Sequence, residues 1–194
     1  MSKSSHRQYD RILTIPNLLS GIRVLMALLA ALLFFFRGPT LFPALLCTVA
    51  ALLDTLDGYI ARRANQISRL GEHLDPLADK ILISVIFLAL AHFSGSLLAW
   101  VFVLLLLVRE WGITWLRERY QRKTGLSLPA DRLGKWKMLL QSILGNGLLI
   151  LLGLGASAKS PTFTLLLLLS LILILVLASI SAFRYFGAMR STVE

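Results

Sequence analysis

Six long apolar runs punctuate the chain, separated by short breaks that are polar or rich in glycine and proline. They extend from Leu18 to Phe36, Leu41 to Ala61, Leu77 to Phe93, Leu97 to Leu116, Met138 to Leu154 and Phe163 to Phe186. Their apolar residues do not alternate with polar ones, as they would in barrel strands of about 9–11 residues. Each run is close to the roughly 20 residues that a helix needs to cross a hydrocarbon core about 30 Å thick. Arg37-Gly38-Pro39, Ser94-Gly95-Ser96 and the stretch from Ala156 to Pro161 supply turn-forming residues between them. The pattern predicts an all-α integral membrane fold: six transmembrane helices in a single domain over residues 1–194. Residues 1–16 are polar and basic, as in an interfacial segment. The first run is long and no small-residue cleavage site follows it, so it is expected to remain as a span.

Composition supports this and removes the alternatives. Hydrophobic residues make up 57% of the chain and charged ones 15%, against about 45–50% and 25% in soluble domains. A soluble fold of this size leaves too much surface wet to hide so many apolar groups. Cys47 is the only cysteine, which excludes an internal disulfide framework. The net charge of +10 is first a topology signal. With six spans, 18 of the 20 Lys and Arg residues fall on the side of the two termini and of the Arg62–Glu72 and Arg117–Lys137 loops. Only Arg37 and Lys159 fall on the other. That imbalance predicts a multi-pass protein of the cell (inner) membrane with both termini cytoplasmic. The bilayer accounts for the basic excess, so no nucleic-acid partner is expected. No Gly-rich loop sits between a strand and a helix, so a P-loop is absent.

Acidic residues are scarce, and four of them fall close together: Asp54, Asp57, Asp75 and Asp79. Asp54 and Asp57 are spaced i,i+3 at the end of the second run, and Asp75 and Asp79 i,i+4 at the start of the third. Each pair shares a helix face. The short connection brings the pairs together at the cytoplasmic end of the bundle, where four carboxylates need a counter-charge. Hard oxygen donors suit Mg²⁺ or Mn²⁺, and four are enough for two ions, as in two-metal phosphoryl chemistry. Structural roles compete residue by residue. Asp75 before Pro76 reads as an N-cap, Asp57 has Arg62 and Arg63 within reach, and Gly58 with Ala61 reads as small-residue helix packing.

Taken together, Asp54-Thr-Leu-Asp57-Gly58-Tyr-Ile-Ala61-Arg62, with Gly71, Asp75 and Asp79 following at intervals of eight, three and three residues, resembles the CDP-alcohol phosphotransferase signature at every fixed position. Ile15-Pro16-Asn17-Leu18-Leu19-Ser20, Arg109-Glu110-Trp111 and Gly134-Lys135-Trp136-Lys137 are similar to the bacterial branch that forms phosphatidylglycerol phosphate. Two positions depart from that branch: Met138 and Ser20 stand where threonine is usual. The resemblance implies six spans and transfer of a phosphatidyl group from CDP-diacylglycerol to sn-glycerol 3-phosphate, with release of CMP. It implies that Asp54, Asp57, Asp75 and Asp79 hold two Mg²⁺ or Mn²⁺ ions and that Asp79 takes the proton of the attacking hydroxyl. Asn17, Ser20, Gly58, Ala61, Arg62, Ser68 and Gly71 become contacts for the CDP group.

The acceptor's own phosphate needs a second basic site. Arg109 interrupts an apolar run, where an unpaired cation is costly, and its neighbour Glu110 is expected to face elsewhere on the helix. Arg109 and Lys135 are the candidates for that phosphate. A cardiolipin synthase of the same family, taking phosphatidylglycerol as acceptor, is the nearest alternative. From another class, the carboxylates could serve a divalent-cation transporter. Such a site belongs near the midplane of repeated halves, whereas this cluster lies at one face and no repeat is visible. The sequence is compatible with a homodimer.

Overall fold

The structure is a computed structural model that describes residues 15–64, 69–124 and 132–191, with side chains described over 17–53, 74–124 and 133–185. It contains α1 (Ile15–Arg37), α2 (Leu41–Ala64), α3 (Arg69–Ser94), α4 (Leu97–Thr124), α5 (Arg132–Gly153) and α6 (Pro161–Ser191). No strand occurs among the described residues. Each helix covers one of the six apolar runs, with α5 ending at Gly153, one residue before the end of its run.

The helix ends differ between the two sides of the chain's path. On one side the helices stop at the glycine breaks. Gly38, Gly95 and Gly155 adopt φ values of 75°, 61° and 98°, a left-handed conformation open to glycine without steric cost. On the other side the helices outlast their apolar runs. The end of α2, the first eight residues of α3, the last eight of α4 and the first six of α5 are polar or mixed yet helical. A helix satisfies its own backbone groups, so it persists into water where apolarity no longer requires it. At about 1.5 Å per residue, the 28 residues of α4 reach about 42 Å, well beyond the hydrocarbon core. The residues with chemistry in them therefore stand on helical rods rather than loops.

Among the described residues, five helical stretches are long and apolar enough to cross a membrane: Asn17–Arg37, Leu74–Ser94, Leu97–Thr124, Leu133–Gly153 and Pro161–Tyr185. In α2 the apolar stretch among the described residues is shorter, Leu41–Leu53, and Asp54 follows it directly.

The chain divides into two compact units. The first comprises residues 1–89 and 149–156. Here α1 packs against α2. Ala27 and Ala30 of α1 and Ala44, Cys47 and Ala50 of α2 are fully buried, and such small residues let helix backbones approach closely. Leu25 and Leu32 of α1 and Leu52 of α2 are exposed, as lipid-facing side chains are. The α5 backbone approaches α2 closely at Gly153, where an added Cβ would lie 2.6 Å from Leu41 Cα.

The second unit comprises residues 90–148 and 157–194. In it α4 packs on α6, burying Ala99, Val103 and Leu106 on α4 and Leu167, Leu171, Ile174 and Ala178 on α6. Towards the polar ends of these helices, the Arg117 guanidinium lies 4.9 Å from the centroid of the Tyr185 ring, a cation–π contact between α4 and α6.

Candidate active site

Helix α3 begins at Arg69 and holds Pro76 in its interior, so Asp75 is not the N-cap that Asp-Pro suggested. The mixed segment before Pro76 continues the helix, and proline costs it one backbone bond, to the carbonyl four residues earlier. Asp75 and Asp79 consequently sit one turn apart on an established helix and share a face. Asp75 Oδ1 accepts a hydrogen bond from the hydroxyl of Ser20 on α1. Asp79 is 19% exposed and its Oδ2 lies 3.5 Å from Lys80 Nζ.

Asp54 and Asp57 lie on α2, together with Gly58, Ala61 and Arg62, although their side chains fall outside the described residues. Ser68 also lies outside the described residues, and Gly71 is on the first turns of α3. Only residues 65–68 separate α2 from α3. Counted from that connection at about 1.5 Å per residue, Asp57 stands about 10 Å along α2 and Asp54 about 15 Å. On α3, Asp75 stands about 9 Å along and Asp79 about 15 Å. Measured along each helix, the two pairs thus stand at similar distances from residues 65–68, which lie outside the described residues. All four side chains are carboxylates, the hard oxygen type that suits Mg²⁺ or Mn²⁺.

The inner face of α1 completes this unit's polar end. Asn17, Ser20 and Arg23 recur every third residue and are 7%, 1% and 0% exposed. The same face continues as Ala27, Ala30 and Phe34, so one stripe of the helix is polar at its beginning and apolar afterwards.

A second polar group lies within the other unit. Arg109 Nη1 donates to Glu110 Oε1 at 2.8 Å, and Arg109 Nη2 donates to the Ala178 carbonyl of α6. The expectation that Glu110 faces away from Arg109 is incorrect. The backbone directions do diverge, but the long guanidinium arm curls back to the neighbouring carboxylate. Glu110 Oε1 also accepts from Lys137 Nζ on α5 at 2.5 Å. The Glu110 and Lys137 side chains are 3% and 4% exposed. Lys135, two residues away and on another face of α5, is exposed.

Glu110, Lys137 and Gln141 are buried polar residues that the sequence reading left without a role. Two signals pointed to them. Glu110 directly follows the cation that breaks an apolar run, and Lys137 with Gln141 marks one face of α5 at i,i+4.

Residues 13–190 match the family model described as CDP-alcohol phosphatidyltransferase. A CDP-diacylglycerol–glycerol-3-phosphate 3-phosphatidyltransferase of Cereibacter sphaeroides is 36% identical over 146 residues, covering 70% of this chain and 65% of the relative. One of Rickettsia bellii is 34% identical over 129 residues, covering 66% and 70%, and one of Bacillus subtilis is 38% identical over 107 residues, covering 55% and 54%. A CMP-forming cardiolipin synthase of Rattus norvegicus is 42% identical over 90 residues, covering 46% of this chain and 30% of the relative. The chain thus spans just under two thirds of the first of these relatives and about half of the Bacillus one.

Proposed function

The chain belongs to the CDP-alcohol phosphatidyltransferase family, and from that premise we propose that it transfers a phosphatidyl group from CDP-diacylglycerol to sn-glycerol 3-phosphate. The products are phosphatidylglycerol phosphate and CMP. Relatives bearing that activity in their names support the choice of acceptor. The observation that carries the chemistry is the placement of Asp54 and Asp57 near the end of α2 and of Asp75 and Asp79 near the start of α3, at similar distances along each helix from residues 65–68.

In this reading the four aspartates hold two Mg²⁺ or Mn²⁺ ions. Bound there, the ions neutralise the pyrophosphate and make the phosphorus more electrophilic. Asp79 accepts the proton as the glycerol hydroxyl attacks the phosphorus that bears diacylglycerol. The bond from that phosphorus to the CMP oxygen breaks, and CMP leaves with the electron pair. A carboxylate is a weak base towards an alcohol, so proton loss accompanies bond formation rather than preceding it. Gly58 and Gly71 let the CDP group approach the backbone. Arg62 offers several donors to its phosphate oxygens, and Asn17, Ala61 and Ser68 complete the CDP contacts.

Arg109 and Lys135 hold the acceptor's phosphate. The excess of Lys and Arg on the side of the two termini supports a cytoplasmic site, where a water-soluble acceptor arrives.

Purified protein given CDP-diacylglycerol and each radiolabelled acceptor in turn tests the proposal, with lipid products separated by thin-layer chromatography. Product from glycerol 3-phosphate is expected. Product only from phosphatidylglycerol would reassign the chain as a cardiolipin synthase, the reading that the rat relative favours. Metal flux in sealed vesicles without lipid product would mark a transporter.

A further inference from the structure

We infer that Ser20 is a positioning residue for Asp75: its hydroxyl fixes the rotamer and the free oxygen of that carboxylate, and it does not contact the CDP phosphates. The inference rests on the reading of Asp75 as a metal ligand. A serine hydroxyl carries one donor hydrogen, and an ionised carboxylate is an acceptor only. In the Ser20–Asp75 bond the hydrogen must therefore come from Ser20. A phosphate oxygen is also only an acceptor, so Ser20 has no hydrogen left to offer it.

Position makes the bond consequential. Ser20 is 1% exposed, so the bond is shielded from solvent on the Ser20 side. The partners lie on different helices, α1 and α3, so the bond also registers the polar end of α1 against the carboxylate face of α3. Ser20 is flanked on its face by Asn17 and Arg23, both buried. Partners that orient metal-ligating carboxylates typically contribute 10–100-fold to metal affinity.

The test is Mn²⁺ binding by the full-length protein in detergent, followed by electron paramagnetic resonance without nucleotide or lipid. Ser20→Ala is expected to weaken Mn²⁺ binding about 10–100-fold, whereas Ser20→Thr should stay within about threefold of the parent. Asp75→Asn serves as the reference for loss of the ligand itself. If Ser20→Ala binds Mn²⁺ like the parent while Asp75→Asn does not, the positioning role is overturned and the metal site stands. If Asp75→Asn also binds like the parent, the reading of Asp75 as a ligand is overturned with it. Should Ser20→Ala not fold, Ser20→Cys keeps the volume and offers only a weak donor. The same direction of loss is then expected, and parent-like binding would overturn the role.

Discussion

Glu110 Oε1 receives both Arg109 Nη1 and Lys137 Nζ, at 2.8 and 2.5 Å, so one buried carboxylate joins two cations of different helices. The three groups carry a net single positive charge. Removing Lys137 leaves a matched Arg109–Glu110 pair, whereas removing the carboxylate leaves two cations facing each other. Breaking a buried ion pair costs about 3–5 kcal/mol when a charge is left uncompensated. Glu110→Gln should reach that range and Lys137→Met should fall clearly below it, as read from unfolding in mixed micelles. Equal losses for the two variants would contradict the asymmetry.

Asp79→Asn keeps the shape of the side chain and removes its basicity. Turnover should fall by at least about 100-fold, the lower range for general-base assistance, while the thermal unfolding temperature stays close to the parent value. Retained product formation in a thin-layer assay would mean that the hydroxyl proton leaves by another route.

Chelation should act on the same carboxylates. Protein stripped with EDTA is expected to form no lipid product, and Mg²⁺ or Mn²⁺ should restore it, because an all-carboxylate set selects hard divalent ions. Undiminished activity after exhaustive chelation would remove the metals from the mechanism.

Glycine packing gives a prediction independent of function. At Gly153 an added Cβ would meet Leu41 Cα at 2.6 Å and Leu41 N at 2.9 Å, and backbone atoms do not yield as a side-chain tip would. Gly153→Ala should destabilise by about 1–3 kcal/mol, the usual cost of overpacking. Gly147, also on α5, has nothing within 4 Å of the corresponding position. Gly147→Ala should be neutral or stabilising by up to about 1 kcal/mol, from helix propensity alone. The order of melting temperatures checks both.

For the acceptor site, charge reversal at Arg109 or Lys135 should raise the apparent KM for glycerol 3-phosphate more than it lowers kcat, the mark of lost ground-state binding. A residue whose reversal leaves KM unchanged does not touch the acceptor.

Much of this molecule was legible from the order of residues. The six helices follow from runs of apolar residues near the length of a bilayer crossing, and the turns at Gly38 and Gly95 from glycine's access to positive φ. These are local properties, set by a few neighbouring residues and the solvent around them. The four aspartates stood out in the sequence as the candidates to test, because anionic residues beside membrane spans are rare. Only the tertiary structure decided how far the helices run past the apolar segments, which made Asp75 a mid-helix residue rather than a cap. It alone paired Ser20 with Asp75 across 55 positions of sequence and turned Lys137, rather than Lys135, into the interior. Helical periodicity says which residues share a face, but the face that is buried depends on the neighbouring helices. Partners distant in sequence meet only when those helices pack.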